Sequence, residues 1–354
     1  MTSTVNCIAP NGRDPSGSFL YYSRTDVVSL LDEINVVDVV IEALIAHAEG
    51  RTELPAEAYL GWHNTDGNAA RCLAMPGAVK SSGENIVGLK IINGSLGNVA
   101  RGLTRSQGLT ALFDPETARP VALMEAAAIS ATRTAGATVT ALRSLNHNVE
   151  TIGVVGCGTL AAAHLEILAR HYPRVNEIIL HDIDPNSAKQ LALVSSGLFP
   201  NAHIRVADRA RDAVEAASTV VLTTVVDEGY VASSWITPGT VVAHVSLDDL
   251  LPEVLESCDL LIVDDWKLCA DDSRRILGRM AQQGLIRAPG SESGPGRAVD
   301  ATIGDLLSGK HPGSRATSDI IVVNPFGMSI LDVAVANQVH RLAMQRGLGI
   351  ELPF

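Results

Sequence analysis

The chain has 354 residues, 46% hydrophobic and 19% charged, which is enough apolar material for two ordinary domains and far from a disordered composition. Its 27 Lys and Arg face 39 Asp and Glu, a formal charge of -12, so neither nucleic acid nor an anionic membrane is an expected partner. The 5 cysteines, an odd number with no C-x-x-C pair, argue against a disulfide framework or a zinc site, so no metal is expected and a cytoplasmic setting fits.

In chain order, residues 1–18 read as a mobile, polar leader without the apolar core of a signal peptide. From Tyr21 to Gly50, apolar residues recur at spacings of three and four, from Val27 to Ile45, with Ser23 and Asp26 suited to a helix start. Strands are expected at Ala69–Met75, Ile86–Ile92, Gly108–Phe113 and Val121–Leu123, the last two joined by a turn at Asp114-Pro115-Glu116-Thr117. This first block therefore reads as a mostly antiparallel α+β domain. An Ala- and Thr-rich helix is expected over 124–145.

Thr151–Val155 then opens an alternation of buried strands and helices. The further strands are Glu177–Leu180, Ile204–Val206, Thr219–Thr224, Thr240–His244 and Leu260–Val263, a pattern that predicts a parallel sheet with both faces covered. Residues 287–318, rich in Gly, Ser and Pro, read as loops around a short helix at Ile303–Leu307, and a last helix spans about 328–347. No run of about 18 apolar residues occurs, so no membrane span is expected.

The first strand of the alternation runs into Gly156-Cys157-Gly158-Thr159-Leu160-Ala161, a G-x-G-x-x-A turn at the mouth of a helix. Gly156 permits the tight turn, Gly158 lets backbone approach a pyrophosphate, Ala161 allows close helix packing, and the helix N-terminus offers free N–H groups. Thr159 and Leu160 supply the first of these. The next strand, Glu177–Leu180, is followed by His181-Asp182, and Asp182, 24 residues after Gly158, is expected to bind ribose hydroxyls with its carboxylate. Asp182 and Asp184 would repel a 2′-phosphate, so NAD is expected over NADP. Asp184 otherwise reads as the start of a turn.

Three cations stand in apolar or strand contexts: Arg71, Lys90 and Arg133. Buried cations are costly unless paired. Together they suggest a carboxylate clamp, although each alone reads equally well as an edge charge, a snorkelling side chain or a structural ion pair.

These residues carry a resemblance. Arg71 with Met75-Pro76, Gly88-Leu89-Lys90, Gly108-Leu109-Thr110, Arg133-Thr134-Ala135, the glycine loop, and Gly327-x-Ser329-x-x-Asp332-Val333-Ala334 follow in the order found in the ornithine cyclodeaminase/mu-crystallin family. The resemblance implies a central Rossmann domain at 132–322. It also implies a split α+β substrate and dimerisation domain, formed by 1–131 with the C-terminal helix of 323–354, and a homodimer. It implies that Arg71, Lys90 and Arg133 hold the substrate carboxylate, with Lys90 near the reacting carbon, and that Thr134, Thr223, Thr224 and Asp332 join the cofactor site.

Further pieces, Arg101-Gly102-Leu103-Thr104-Arg105, His244-Val245-Ser246-Leu247 and Asn324-Pro325-Phe326-Gly327-Met328, are similar to the branch that makes 2,3-diaminopropionate for siderophore or antibiotic assembly. That branch cleaves N-(1-amino-1-carboxy-2-ethyl)-L-glutamate oxidatively to 2-oxoglutarate and L-2,3-diaminopropionate. The resemblance thus implies an amino acid substrate with more than one carboxylate, whose additional charge Arg101 or Arg105 would read. Asp248 or Asp249 is the expected proton acceptor, with helix capping as the bland alternative. The other implied activities are an ornithine or lysine cyclodeaminase, without net NADH, and an NADH-dependent binding protein of the mu-crystallin type.

Overall fold

The computed structural model describes residues 17–81, 83–291, 294–313 and 316–353. The expected leader therefore lies outside the described residues except at its end, where Ser18–Tyr22 is already a strand. Among the described residues two compact units emerge: residues 17–34, 53–129 and 332–353, and residues 35–52 with those described between 130 and 331. These boundaries differ from the expected 1–131, 132–322 and 323–354. Residues 35–52 join the second unit because Val36–Ala48 packs against two of its helices: a Cβ on Gly136 would lie 3.3 Å from Val36 and Val40, and one on Gly304 would lie 2.9 Å from Ala48.

The first unit is built on a mixed sheet in the order Ile350–Pro353, Ser18–Tyr22, Pro120–Glu125, Ser106–Phe113, Glu84–Ser95, Ala69–Ser81, with Ala58–His63 also paired to Ala69–Ser81. Ser18–Tyr22 runs parallel to Pro120–Glu125, and the neighbouring pairs from there to Ala69–Ser81 are antiparallel. The run expected to be helical from Tyr21 thus begins as strand and continues as helix Arg24–Leu31, where Ser23 and Asp26 form a reciprocal capping box.

Residues directly opposite one another share a sheet face. Register therefore sets Met75, Lys90, Thr110, Met124 and Tyr22 in one row, and all five are buried. The helix Ser329–Arg346 covers this face from Asp332 onward. Val333 presses on Gly88, where a Cβ would lie 2.9 Å away, and the Tyr22 hydroxyl meets His340 Nδ1 at 2.9 Å.

The second unit carries a fully parallel sheet in the order His203–Val206, Glu177–His181, Thr151–Val155, Thr219–Leu222, Val241–His244, Ile321–Asn324, Leu260–Val263, Ala301–Thr302. The strand order reverses beside Thr151–Val155, and ligands of such sheets bind at the carboxyl ends of strands around that point. Ile321–Asn324 was not expected. It is a buried four-residue run that returns late in the chain and inserts between two earlier strands. Gly153 is required by contact: a Cβ there would overlap the Ala213 carbonyl oxygen.

Candidate active site

At the carboxyl end of Thr151–Val155, Gly156 adopts φ 88°, and a Cβ on it would lie 2.8 Å from the Thr223 carbonyl carbon and the Thr224 nitrogen. This turn admits only glycine. A Cβ on Gly158 would meet nothing within 4 Å, so its outer side is open. Helix Thr159–His171 starts there without a side-chain cap, with Thr159 exposed, Leu160 half-buried and Ala161 buried. Uncapped N–H groups below open space fit a pyrophosphate.

Asp182 is fixed at the end of the neighbouring strand: Oδ2 accepts the Cys157 N–H at 2.6 Å and Oδ1 the Asp184 N–H at 2.8 Å. Each oxygen keeps acceptor capacity for a ribose hydroxyl. Asp184 itself caps helix Pro185–Leu198, and hydrogen bonds led by the Ser187 hydroxyl hold its carboxyl below the usual range.

Thr223 donates from Oγ1 to the Gly156 carbonyl at 2.6 Å, and Thr224 donates to Asp249 Oδ1 at 2.7 Å. Thr134 bonds back to the Ser130 carbonyl at 2.7 Å within its own helix.

Beyond Val241–His244 the backbone turns through Leu247 at φ 75°, an unusual conformation for a bulky residue. It carries Asp248 and Asp249 into separate buried surroundings. Asp248 accepts Arg275 at 2.8 Å, Arg279 at 3.0 Å and the Ile276 N–H at 3.0 Å. It therefore caps a helix, though one well downstream of the helix that follows it directly. Asp249, with no exposed surface, accepts hydroxyls of Thr224, Tyr230 and Ser246. Both carboxylates are thus engaged by neighbouring donors, Asp248 by two arginines and a backbone N–H and Asp249 by three hydroxyls.

His244 donates from Nδ1 to Asn324 Oδ1 at 2.9 Å and accepts the Asp249 N–H at Nε2 at 3.0 Å. Burial pushes its pKa down to about 4, so the ring is neutral at pH 7. Asp264, whose carboxyl burial raises, accepts Phe326 and Gly327 N–H groups at 3.0 and 2.6 Å. That bracket shapes the Gly327 turn, φ 102°, where a Cβ would lie 2.8 Å from the Arg133 guanidinium. Arg133 is buried in its helix and lies against this turn.

In the first unit, Lys90 donates from Nζ to Asp332 Oδ2 at 2.7 Å, with both side chains at most 2% exposed. Asp332, expected at the cofactor, is engaged by the expected substrate lysine. Arg71 stands on the strand next to that of Lys90, opposite Gly94 and on the same sheet face. Arg101 pairs with Asp66, both half-exposed, and Arg105 leads into Ser106–Phe113. Sequence reasoning missed Tyr230, Asp264, Arg275 and Arg279. The only local signals were an acid closing a β-branched run and two arginines at i,i+4 spacing. Among the described residues, no cluster of three or more metal-ligand side chains occurs, and no helix is long and apolar enough to cross a membrane.

A glycine loop at the carboxyl edge of a parallel sheet, with a fixed acid just after the next strand, is the construction of a dinucleotide-binding domain. The profile of the ornithine cyclodeaminase/mu-crystallin family matches residues 20–347, and the chain belongs to that family. It is 28% identical to the N-((2S)-2-amino-2-carboxyethyl)-L-glutamate dehydrogenase of Staphylococcus aureus, over 94% of this chain and 98% of that protein. The crystal structure of CmnK superposes with a TM-score of 0.87 at 38% identity, covering 96% of this chain and 99% of that one. An archaeal alanine dehydrogenase dimer with bound NAD gives 0.81 at 28% identity, covering 95% and 99%.

Proposed function

We propose that this enzyme performs an NAD-dependent oxidative cleavage of N-((2S)-2-amino-2-carboxyethyl)-L-glutamate, giving 2-oxoglutarate and L-2,3-diaminopropionate. The observation that carries this reading is the likeness to the Staphylococcus aureus dehydrogenase over nearly the whole chain. The open Gly158 loop and the fixed Asp182 carboxylate fit NAD. When bound, NAD supplies the hydride acceptor for the carbon bearing the secondary amine; the imine then takes up water and falls to a keto acid and a free amine.

The chain's own residues bind and orient. Gly156, Gly158, Thr159 and Leu160 present backbone to the pyrophosphate, and Asp182 takes the adenosine ribose. Arg71, Lys90 and Arg133 are the cations assigned to the substrate carboxylates. Lys90, buried on Asp332, is positioned by that carboxylate and is the group that assists water attack. A homodimer is supported by the strand Ala58–His63, exposed throughout with Tyr59, Leu60 and Trp62 on it.

The test is incubation with NAD and the glutamate adduct, followed by mass spectrometry. The expected outcome is 2-oxoglutarate, 2,3-diaminopropionate and one NADH per turnover. Ammonia release without net NADH would replace this reading with a cyclodeaminase. Turnover of L-alanine alone would move it to the reaction of the archaeal relative, which is also 28% identical.

A further inference from the structure

The carboxyl edge of the parallel sheet contains a buried cluster whose centre, Asp249, has no exposed surface. Its Oδ1 accepts the hydroxyls of Thr224 at 2.7 Å and Tyr230 at 3.0 Å, and its Oδ2 accepts that of Ser246. Its backbone carbonyl accepts the N–H groups of Tyr230 and Val231, at 2.8 and 2.9 Å, and its own N–H donates to His244 Nε2. One residue thus ties both ends of the segment 224–231. Between those ends the chain is irregular and mostly uncovered, with Val225 56% exposed.

The near end of that segment is also the wall of the glycine loop. The Thr223–Thr224 peptide lies where a Gly156 side chain would be, and the Thr223 hydroxyl donates to the Gly156 carbonyl at 2.6 Å. A contiguous path of contacts therefore runs from the Asp249 carboxylate through Thr224 and Thr223 to the turn that faces the pyrophosphate. Tyr230 and His244 each keep one protonation state around neutral pH. Burial, then the Asp249 charge, pushes the Tyr230 phenol far up, so it remains a donor, while His244 stays a neutral acceptor.

We propose that Asp249 is a positioning residue that holds segment 224–231 as one wall of the dinucleotide site, so that its carboxylate sets cofactor affinity and takes no proton in the reaction. The inference rests on the reading of Gly156–Ala161 as the dinucleotide loop.

The test uses Asp249→Asn, with Tyr230→Phe and Thr224→Val as milder variants that each remove one donor and keep the carboxylate. Three quantities are measured: NADH affinity by nicotinamide fluorescence, the urea midpoint, and the pH profile of kcat. A segment ordered only a tenth of the time weakens apparent affinity about tenfold, which is the expected rise in NADH Kd for Asp249→Asn, with a smaller rise in both milder variants. The pH profile keeps its shape.

Wild-type Kd in Asp249→Asn with a collapsed kcat and a lost pH limb would make Asp249 an acid–base group and overturn the proposal. A lowered urea midpoint with unchanged Kd in all three variants would reduce the cluster to fold stability and also overturn it. Should Asp249→Asn fail to fold, unchanged Kd in both milder variants is sufficient refutation. Failure of the wild-type protein itself to bind NADH would instead remove the dinucleotide reading, and the proposal with it.

Discussion

Lys90 and Asp332 allow structural and chemical roles to be separated by one set of variants. The pair is 2.7 Å apart, with side chains 2% and 0% exposed. Removing one member of a buried ion pair typically costs about 3–5 kcal/mol, because the other charge keeps its desolvation penalty and loses its partner. Lys90→Met should therefore lower unfolding stability by about that amount while leaving NADH affinity unchanged. The double variant Lys90→Met/Asp332→Leu replaces the pair with apolar groups and should recover most of the loss, to within about 1–2 kcal/mol of wild type. Turnover should not recover. Acid–base assistance is worth roughly 100-fold or more, and neither variant retains the ammonium. The assays are urea unfolding followed by circular dichroism and initial rates of NADH formation. Wild-type turnover in the double variant would refute the catalytic assignment of Lys90. Wild-type stability in Lys90→Met would refute the buried pair.

Asp182→Ala should weaken NAD binding strongly and narrow the gap to NADP, measured by fluorescence titration with each reduced cofactor; unchanged NAD affinity would remove Asp182 from the site. His164 and His244 are buried, and burial pushes each pKa down to about 4. The unfolded chain binds the extra protons first, so their contribution is present above about pH 6.5 and falls by roughly 2 kcal/mol per histidine at pH 5, a slope that urea midpoints across that range would detect or exclude. Arg101→Ala and Arg105→Ala should be assayed on the tricarboxylate adduct and on an analogue lacking the glutamate γ-carboxylate. A real contact costs roughly 1.5–3 kcal/mol on the full substrate alone.

Much of this was legible because it is local. The parallel strands are β-branched runs, the glycine loop joins a strand to a helix, and Ser23 announces a helix start three residues before Asp26. What escaped the sequence is long-range or uncovered. The strand Ala58–His63 is exposed throughout, so it has no in-and-out alternation to read. Ile321–Asn324 is four residues long and finds its partners only in three dimensions. Asp248 and Asp249 are adjacent acids beside a strand end, which reads as chemistry. Their functions in the fold depend on Arg275 and Arg279 for one and on Thr224 and Tyr230 for the other, partners that no spacing rule connects to them.

The same contacts explain how a chain of formal charge -12 suits an anionic cofactor. Four aspartates, 182, 248, 249 and 264, lie just past the strand ends at the edge where a dinucleotide would bind. Bare, they would repel a pyrophosphate. None is bare: two backbone N–H groups meet Asp182, two arginines and an N–H meet Asp248, three hydroxyls meet Asp249, and three N–H groups meet Asp264. Hydrogen bonding satisfies these carboxylates and turns them into fasteners for the loops. The uncapped N–H groups of helix Thr159–His171 are left as the donors facing open space. The backbone dipoles at that helix end place a positive partial charge against that open space. Raising ionic strength should accordingly change NADH affinity much less than would be expected for a site built on exposed lysines, and a steep salt dependence would contradict this account.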